Sequence, residues 1–176
     1  MDQKQSAHLD RVRHLRESFA EANERLVARL RRVPDEAAER APDHGWSAAQ
    51  IGWHVAAVTT RFAGVISGDI AGAQPLPADF APRTWGAIVA AIPPRLKAPA
   101  AFEPPRTVKR ADAIAALEGA GMRMARAFDT LTEARGNGLG ITSPVVGTIT
   151  VYQIGEWATA HVIRHNKQAK QALGEA

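Results

Sequence analysis

The chain has 176 residues, of which 45% are hydrophobic and 23% are charged, so it is long enough to bury a sizeable core. It contains no cysteine, which excludes disulfides, thiolate nucleophiles and thiolate–metal sites. Any soft-metal chemistry must therefore use the 6 histidines. We expect a single domain over residues 1–176, and the abundance of alanine favours an all-α fold.

Charge and hydropathy exclude several classes of partner. No apolar run approaches the roughly 20 residues that span a bilayer, and the first residues lack the apolar centre of a signal peptide. We therefore expect a cytoplasmic protein with no membrane partner. The formal net charge is +4, but the arginines between residues 10 and 33 are interleaved with acids, as in the pair Glu21 and Arg25. This pattern favours a solvated helix face over a nucleic-acid surface.

Two helices are predicted in the first part of the chain. Apolar residues at helical spacing predict a helix over residues 5–32, which Pro34 ends. Ser47 and Gln50 form the pattern of a capping box, and Trp46 and Ile51 flank it as a hydrophobic staple. A second helix is therefore predicted from Ser47 to about Gly68. Its apolar stripe comprises Ile51, Val55, Val58, Phe62 and Val65, with His54 at the edge.

The middle of the chain predicts a long crossover. Eight of the eleven prolines lie in residues 67–108, where "RTWGAIVAAI" predicts a short helix and "APAAFEPP" predicts extended chain. Such a long loop makes sense if it carries the chain from one end of a bundle to the other.

Two further helices follow the crossover. Apolar spacing predicts a third helix over about 110–134, ended by "RGNGLG", with "ITSPVVGTI" as a connector. Thr150 and Gln153 repeat the capping box, with Ile149 and Ile154 as the staple, so the fourth helix is predicted over 151–173. Its inward stripe includes Ile154, Trp157 or Ala158, His161, His165, Gln168 and Leu173.

Three histidines can meet if the second and fourth helices are antiparallel. His161 and His165 are four residues apart and project from one face. His54 lies roughly 10 Å from the start of its helix, and His165 roughly 12 Å from the end of its own, so only antiparallel helices bring them level. The long crossover then lets the second and third helices run parallel. The prediction is an up-down-down-up four-helix bundle, which permits three imidazoles to converge on one cation and leave coordination positions open. The alternative is that the pair His161 and His165 is a surface feature or a hydrogen-bonded part of the core.

The remaining histidines and one carboxylate have no such support. His8 and His14 lie on the charged first helix and His44 lies in a loop, so all three are expected to be solvated. Glu156 lies off the histidine stripe, and we expect it to be solvated or at an interface. Gln50 and Gln168, one turn from the cluster, are candidate hydrogen-bond donors to an anion bound at the metal, and the alternative for Gln50 is that its side chain is committed to the capping box.

The chain resembles the DinB/YfiT-like metalloprotein superfamily. "GWSAAQIGWHVA" and "GTITVYQIGEWATAHVIRHNKQ" resemble its second and fourth helices, and "APAAFEPP" resembles its proline-bracketed crossover. The resemblance covers most of the chain, with the first helix supported only by pattern. It implies an up-down-down-up bundle with a divalent metal, such as zinc or nickel, on His54, His161 and His165.

The resemblance also implies a range of functions and a homodimer. Some members of the superfamily are thiol-dependent transferases or isomerases, and others have no assigned reaction. Two hypotheses therefore remain for this chain. One is a metal-dependent enzyme, a thiol-dependent transferase or a hydrolase acting on a small molecule. The other is a non-catalytic bundle that binds a small molecule, or in which the metal is a structural pin or absent. No motif identifies a general acid, a general base or a nucleophile.

Overall fold

The computed structural model describes residues 3–93 and 96–175. The helices are α1 (Gln3–Arg32), α2 (Asp35–Glu39), α3 (Ala48–Ser67), α4 (Trp85–Ala91), α5 (Arg110–Asp129), α6 (Glu133–Gly138) and α7 (Val151–Ala172). The strands are β1 (Gln74–Pro75), β2 (Leu139–Ser143) and β3 (Gly147–Thr150), and a 3-10 turn spans Ala100–Phe102. The long helices α1, α3, α5 and α7 form the bundle, so the expected all-α class is confirmed.

Contacts between the outer helices give their directions. Arg11 of α1 pairs with Glu156 of α7, and Arg29, further along α1, bonds to Asn166, further along α7. These two helices therefore run in the same direction. Conversely, α1 and α5 run in opposite directions, because Arg16, in the first half of α1, pairs with Asp129 at the end of α5.

The third and seventh helices are antiparallel. His54 of α3 lies beside His161 of α7, whereas Phe62, two turns later in α3, packs against Trp157, one turn earlier in α7. Since α3 runs against α7 and α5 runs against α1, α3 and α5 are parallel. These contacts are those of an up-down-down-up order.

The predicted apolar stripes form the core of the bundle. Fully buried large side chains come from all four long helices: Leu26 and Leu30 from α1, Val55 and Ile66 from α3, Leu117, Met124 and Phe128 from α5, and Ile154 from α7. Gly52 lets α3 approach its neighbours closely, because a Cβ there would lie 3.0 Å from Leu30 and 3.3 Å from Leu117. The residues of the apolar stripe predicted for α3 are also buried, so the sequence identified the packed face of this helix.

Both predicted capping boxes are confirmed. Ser47 Oγ accepts a hydrogen bond from the backbone N–H of Gln50, whose Oε1 accepts from the backbone N–H of Ser47 in return. Thr150 and Gln153 make the same reciprocal pair at the start of α7. The boxes fix where the two histidine-bearing helices begin, and Gly68, with φ +96°, ends α3.

The connector before α7 is not a simple loop. Residues 139–150 form the antiparallel hairpin β2–β3, and β1 pairs with β2 through Gln74 opposite Gly140. The prediction of a connector missed both pairings. The β2–β3 hairpin is local to this segment, whereas β1 joins it from more than sixty residues away, and no local pattern reveals that second pairing. The sheet lies at the end of the bundle where α3 ends and α7 begins.

The third predicted helix is shorter than expected. It ends at Asp129, and Thr132 caps the separate helix α6 by accepting from the backbone N–H of Arg135. The glycines of "RGNGLG" therefore lie in and after α6 and do not end the long helix. The side chain of Arg135 donates to the carbonyls of Val65 and Ile66, which have no partner within the helix because they lie in the last turn of α3.

The crossover contains the predicted short helix, which is α4. The expectation of extended chain in "APAAFEPP" was wrong at Ala100–Phe102, where the backbone N–H of Phe102 donates to Pro99 at 2.8 Å and closes a 3-10 turn. Proline fixes only its own φ, so it starts such a turn as readily as it extends a chain.

The arginines of α1 form ion pairs. Among the described residues, six of the seven arginines between residues 10 and 33 contact a carboxylate: Arg11, Arg13, Arg16, Arg25, Arg29 and Arg31. These pairs offset much of the basic charge of α1. Within residues 3–93 and 96–175, no helix is both long enough and apolar enough to cross a membrane.

The capping boxes allow a stability test. Replacing Ser47 or Thr150 by alanine removes a side-chain acceptor from a buried helix start, so each variant should lose about 0.5–2 kcal/mol of unfolding free energy. Denaturant titration measures this loss. Replacing Ser18 by alanine, on α1 away from any cap, is the control and should have little effect. Unchanged denaturation midpoints in both cap variants would contradict the prediction.

Candidate metal centre

Three histidines converge between α3 and α7. One ring nitrogen from each of His54, His161 and His165 can be chosen so that all three lie within 4.8 Å of one another. The ring centroids of His161 and His165 are 4.3 Å apart, and that of His54 lies 5.2 Å and 4.7 Å from them. His54 and His165 are buried and His161 is half-buried. The predicted residues therefore form one cluster that is close enough to bind a metal.

A backbone carbonyl fixes the tautomer of His54. Its Nδ1 lies 2.7 Å from the carbonyl oxygen of Phe102, which can only accept a hydrogen bond. Nδ1 therefore carries the proton, and Nε2 keeps the lone pair that a metal ligand needs. Metal-binding histidines commonly donate their second nitrogen to a carbonyl in this way.

Two imidazole nitrogens in the cluster lack partners. Nδ1 of His161 and Nδ1 of His165 are buried, and neither has a hydrogen-bond partner in the part of the chain that the structure describes. Buried polar atoms normally find a partner, because leaving one unsatisfied costs about 1–3 kcal/mol. A metal ion held by the cluster would fix the two rings and make use of their lone pairs, so the donor set fits a divalent cation.

Burial keeps the three rings neutral. Desolvation is the largest effect on each, and it lowers the pKa of His54 and lowers that of His161 well below the usual range. Burial also lowers the pKa of His165 to about 3, helped by the neighbouring His54 and opposed by Gln168. Neutral imidazoles have free lone pairs, so protons compete little with a metal near neutral pH.

Aromatic side chains surround the cluster. The ring of Trp46 lies 4.9 Å from that of His54, and Phe62 lies 6.5 Å from His161. Phe62 also packs against Trp157 at 4.9 Å. An apolar wall of this kind limits water and lowers the local dielectric, which strengthens any charge interaction at the centre.

The other sequence candidates fall outside the cluster. His14 and His44 are exposed, as expected. The expectation for His8 was wrong: it is half-buried, and its Nδ1 is hydrogen-bonded to the hydroxyl of Tyr152. This contact joins residues 144 positions apart, so spacing along α1 could not reveal it. Glu156 pairs with Arg11 at 3.2 Å.

The two glutamines predicted to face a bound anion differ. The side-chain N–H₂ of Gln50 donates to the carbonyls of Pro105 and Arg106, and its Oε1 completes the capping box. Both donor hydrogens are used, so the prediction that Gln50 donates to an anion was wrong. Gln168 stands beside His165 and remains the candidate donor.

Sequence reasoning missed the part played by Phe102. Its contribution is a backbone carbonyl, which every residue has, so no residue type could have marked it. The sequence identified Trp46 only as one of the two residues of a hydrophobic staple, but its ring also packs on His54. The aromatic residue directly before a capping box was the available signal for that contact.

A helical bundle with a buried three-histidine cluster defines a class of candidate metalloproteins. A family model of the DinB superfamily matches residues 18–169. The chain therefore belongs to the DinB superfamily. No curated protein and no solved structure shows a significant match to it.

The buried histidines predict a pH dependence for the metal-free protein. Each ring has a lowered pKa in the folded state but takes up a proton below about pH 6.5 when unfolded. Stability is therefore present above that pH and is lost as the pH falls through each folded pKa, which for His165 is about 3. Each histidine contributes a slope of up to about 1.4 kcal/mol per pH unit in the free energy of unfolding.

The measurement is denaturant unfolding with a chelator present, between about pH 7.5 and pH 5, where few carboxylates titrate. Replacing His161 by leucine should flatten the slope. The exposed control variant His14→Gln should keep the wild-type slope. Equal slopes in all three proteins would show that the cluster is not held neutral by burial.

Proposed function

We propose that this chain binds one divalent metal ion through His54, His161 and His165. The observation that carries the proposal is the convergence of three neutral imidazoles, two of which have a buried nitrogen with no hydrogen-bond partner in residues 3–93 and 96–175. Imidazole ligands suit zinc and nickel, which are the ions we propose. Within the described residues, no carboxylate joins the cluster, so three protein ligands leave at least one coordination position open.

We further propose a metal-dependent enzyme that acts on a small molecule, either a thiol-dependent transferase or a hydrolase. A divalent metal bound here supplies a Lewis acid that lowers the pKa of a bound water or thiol. Three neutral imidazoles add no negative charge, so the bound centre keeps a net charge near +2 and favours an anionic partner. Low-molecular-weight thiols are the proposed co-substrate in the transferase case.

The chain's own residues would bind and orient the reactants. Phe102 holds the His54 ring through its carbonyl, and the Trp46 and Phe62 rings exclude water from the buried side. Gln168, next to His165, is the proposed donor to an anionic group of the substrate.

A structural pin is the second candidate, and the burial of His54 and His165 favours it. A closed coordination shell within a buried cluster would stabilise the α3–α7 contact without catalysis. For both candidates we propose a cytoplasmic homodimer with no nucleic-acid or membrane partner.

The ligand set predicts the metal content of variants. Alanine in place of His54, His161 or His165 should each sharply reduce the metal bound to protein that was purified without a nickel column or histidine tag. Elemental analysis measures the metal, and circular dichroism checks that the helices persist. His44→Ala, an exposed histidine outside the cluster, should keep wild-type metal content. Full occupancy in His54→Ala would overturn the ligand set.

An open coordination position predicts ligand exchange at the metal. In cobalt-substituted protein, thiols and carboxylates should shift the visible absorption bands, because they replace water or hydroxide at the fourth position. Gln168→Ala should weaken carboxylate binding, whereas Gln171→Ala, one turn further along α7, should not. A spectrum that no such ligand changes would favour the structural pin over the enzyme.

A further inference from the structure

The glutamines of the two capping boxes also bind the crossover. Gln50, at the start of α3, donates its side-chain N–H₂ to the carbonyls of Pro105 at 2.9 Å and Arg106 at 3.0 Å. Gln153, at the start of α7, donates to the carbonyl of Arg83 at 2.7 Å. Since α3 and α7 are antiparallel, these contacts lie at opposite ends of the bundle. A capping-box glutamine therefore binds the crossover at each end of the bundle.

The side-chain oxygen and nitrogen of Gln50 are both hydrogen-bonded, and the residue is buried. Gln50 is only 9% exposed, its oxygen accepts from Ser47, and its nitrogen serves two carbonyls. Each of these groups would otherwise be a poorly solvated polar atom, which costs about 1–3 kcal/mol when left unpaired. The position of residues 105–106 is therefore closely tied to the side chain of Gln50.

This contact lies next to the carbonyl that orients His54. Phe102 closes the 3-10 turn that begins after Pro99, and only Glu103 and Pro104 separate it from the carbonyl held by Gln50. The same carbonyl of Phe102 accepts the Nδ1 proton of His54. His54 is one helical turn after Gln50 in α3. One turn of α3 therefore carries both the ligand and the group that secures its hydrogen-bond acceptor.

We propose that Gln50 is a positioning residue for the metal centre: it holds the crossover so that the carbonyl of Phe102 fixes His54 as the tautomer with Nε2 free. This inference rests on the proposed function, because it assigns His54 as a ligand through Nε2. It assigns no contact between Gln50 and the metal. Its effect is transmitted by the backbone from Arg106 to Phe102.

The second capping box supplies a matched control. Gln50→Glu and Gln153→Glu each keep a side-chain oxygen for the capping box, and each replaces an N–H₂ donor by an acceptor that repels the crossover carbonyl. Both variants therefore remove a side-chain contact with the crossover, at Pro105 and Arg106 for Gln50 and at Arg83 for Gln153. Only Gln50 lies beside the histidine cluster.

Two measurements separate positioning from general destabilisation. The first is cobalt affinity from the visible spectrum, which should fall about 10-fold or more in Gln50→Glu, the range found when a group that orients a ligand is removed. Gln153→Glu should stay within about two-fold of wild type. The second is the nitrogen-15 spectrum of the His54 ring in metal-free protein. It should report the Nδ1–H tautomer in wild type and Gln153→Glu, and loss of that preference in Gln50→Glu.

The possible results distinguish the two proposals. A wild-type protein without cobalt affinity would refute the proposed function, and the tautomer measurement would still test Gln50. Equal cobalt affinity and an unchanged His54 tautomer in Gln50→Glu would overturn the inference alone. Equal losses of cobalt affinity in both glutamate variants would assign the effect to destabilisation and also overturn it. The uncharged pair Gln50→Met and Gln153→Met repeats the comparison without a new negative charge one turn from His54, and it replaces the glutamate pair if Gln50→Glu does not fold.

Discussion

The properties of the histidine cluster depend on one constraint, which is that three imidazole rings are removed from water. His54 and His165 are buried and His161 is half-buried, and burial strongly disfavours their charged forms. A neutral ring in such a place needs a partner for each nitrogen. The structure provides one such partner in the carbonyl of Phe102, whereas the buried Nδ1 atoms of the α7 histidines have no partner among the described residues. This imbalance is the feature that makes the cluster a candidate metal centre, because a bound cation would use the unpaired nitrogens.

The convergence of the rings depends on where two helices begin and how they run. Reciprocal capping boxes start α3 at Ala48 and α7 at Val151, which sets the height of each histidine along its helix. Antiparallel packing then brings the seventh residue of α3 level with the later part of α7. A shift of one residue in either helix start would rotate its histidine by about 100° and remove it from the cluster. The caps are thus part of the geometry of the site, beyond their contribution to stability.

The crossover links the two ends of the bundle and supplies part of the centre. The parallel arrangement of α3 and α5 requires a connection that returns along the length of the bundle, and residues between α3 and α5 make it. That connection contacts α7 through Arg83 and α3 through Pro105 and Arg106. A segment required by topology therefore also delivers the acceptor for His54. Membership of the DinB superfamily, over residues 18–169, includes this whole segment.

The sequence by itself determined the four long helices, both capping boxes and the three histidines that meet, because these follow from periodicity and from contacts within one turn. Only the tertiary structure decided the β-sheet, the early end of α5, the partner of His8 and the commitment of Gln50. The β1–β2 pairing, the partner of His8 and the commitment of Gln50 depend on groups distant in sequence, many of them backbone carbonyls or amides that every residue carries. The β2–β3 hairpin and the end of α5 are local features that apolar periodicity left undecided. Side-chain identity predicts which residues are inside, whereas the pairing of backbone groups is settled only when the chain packs.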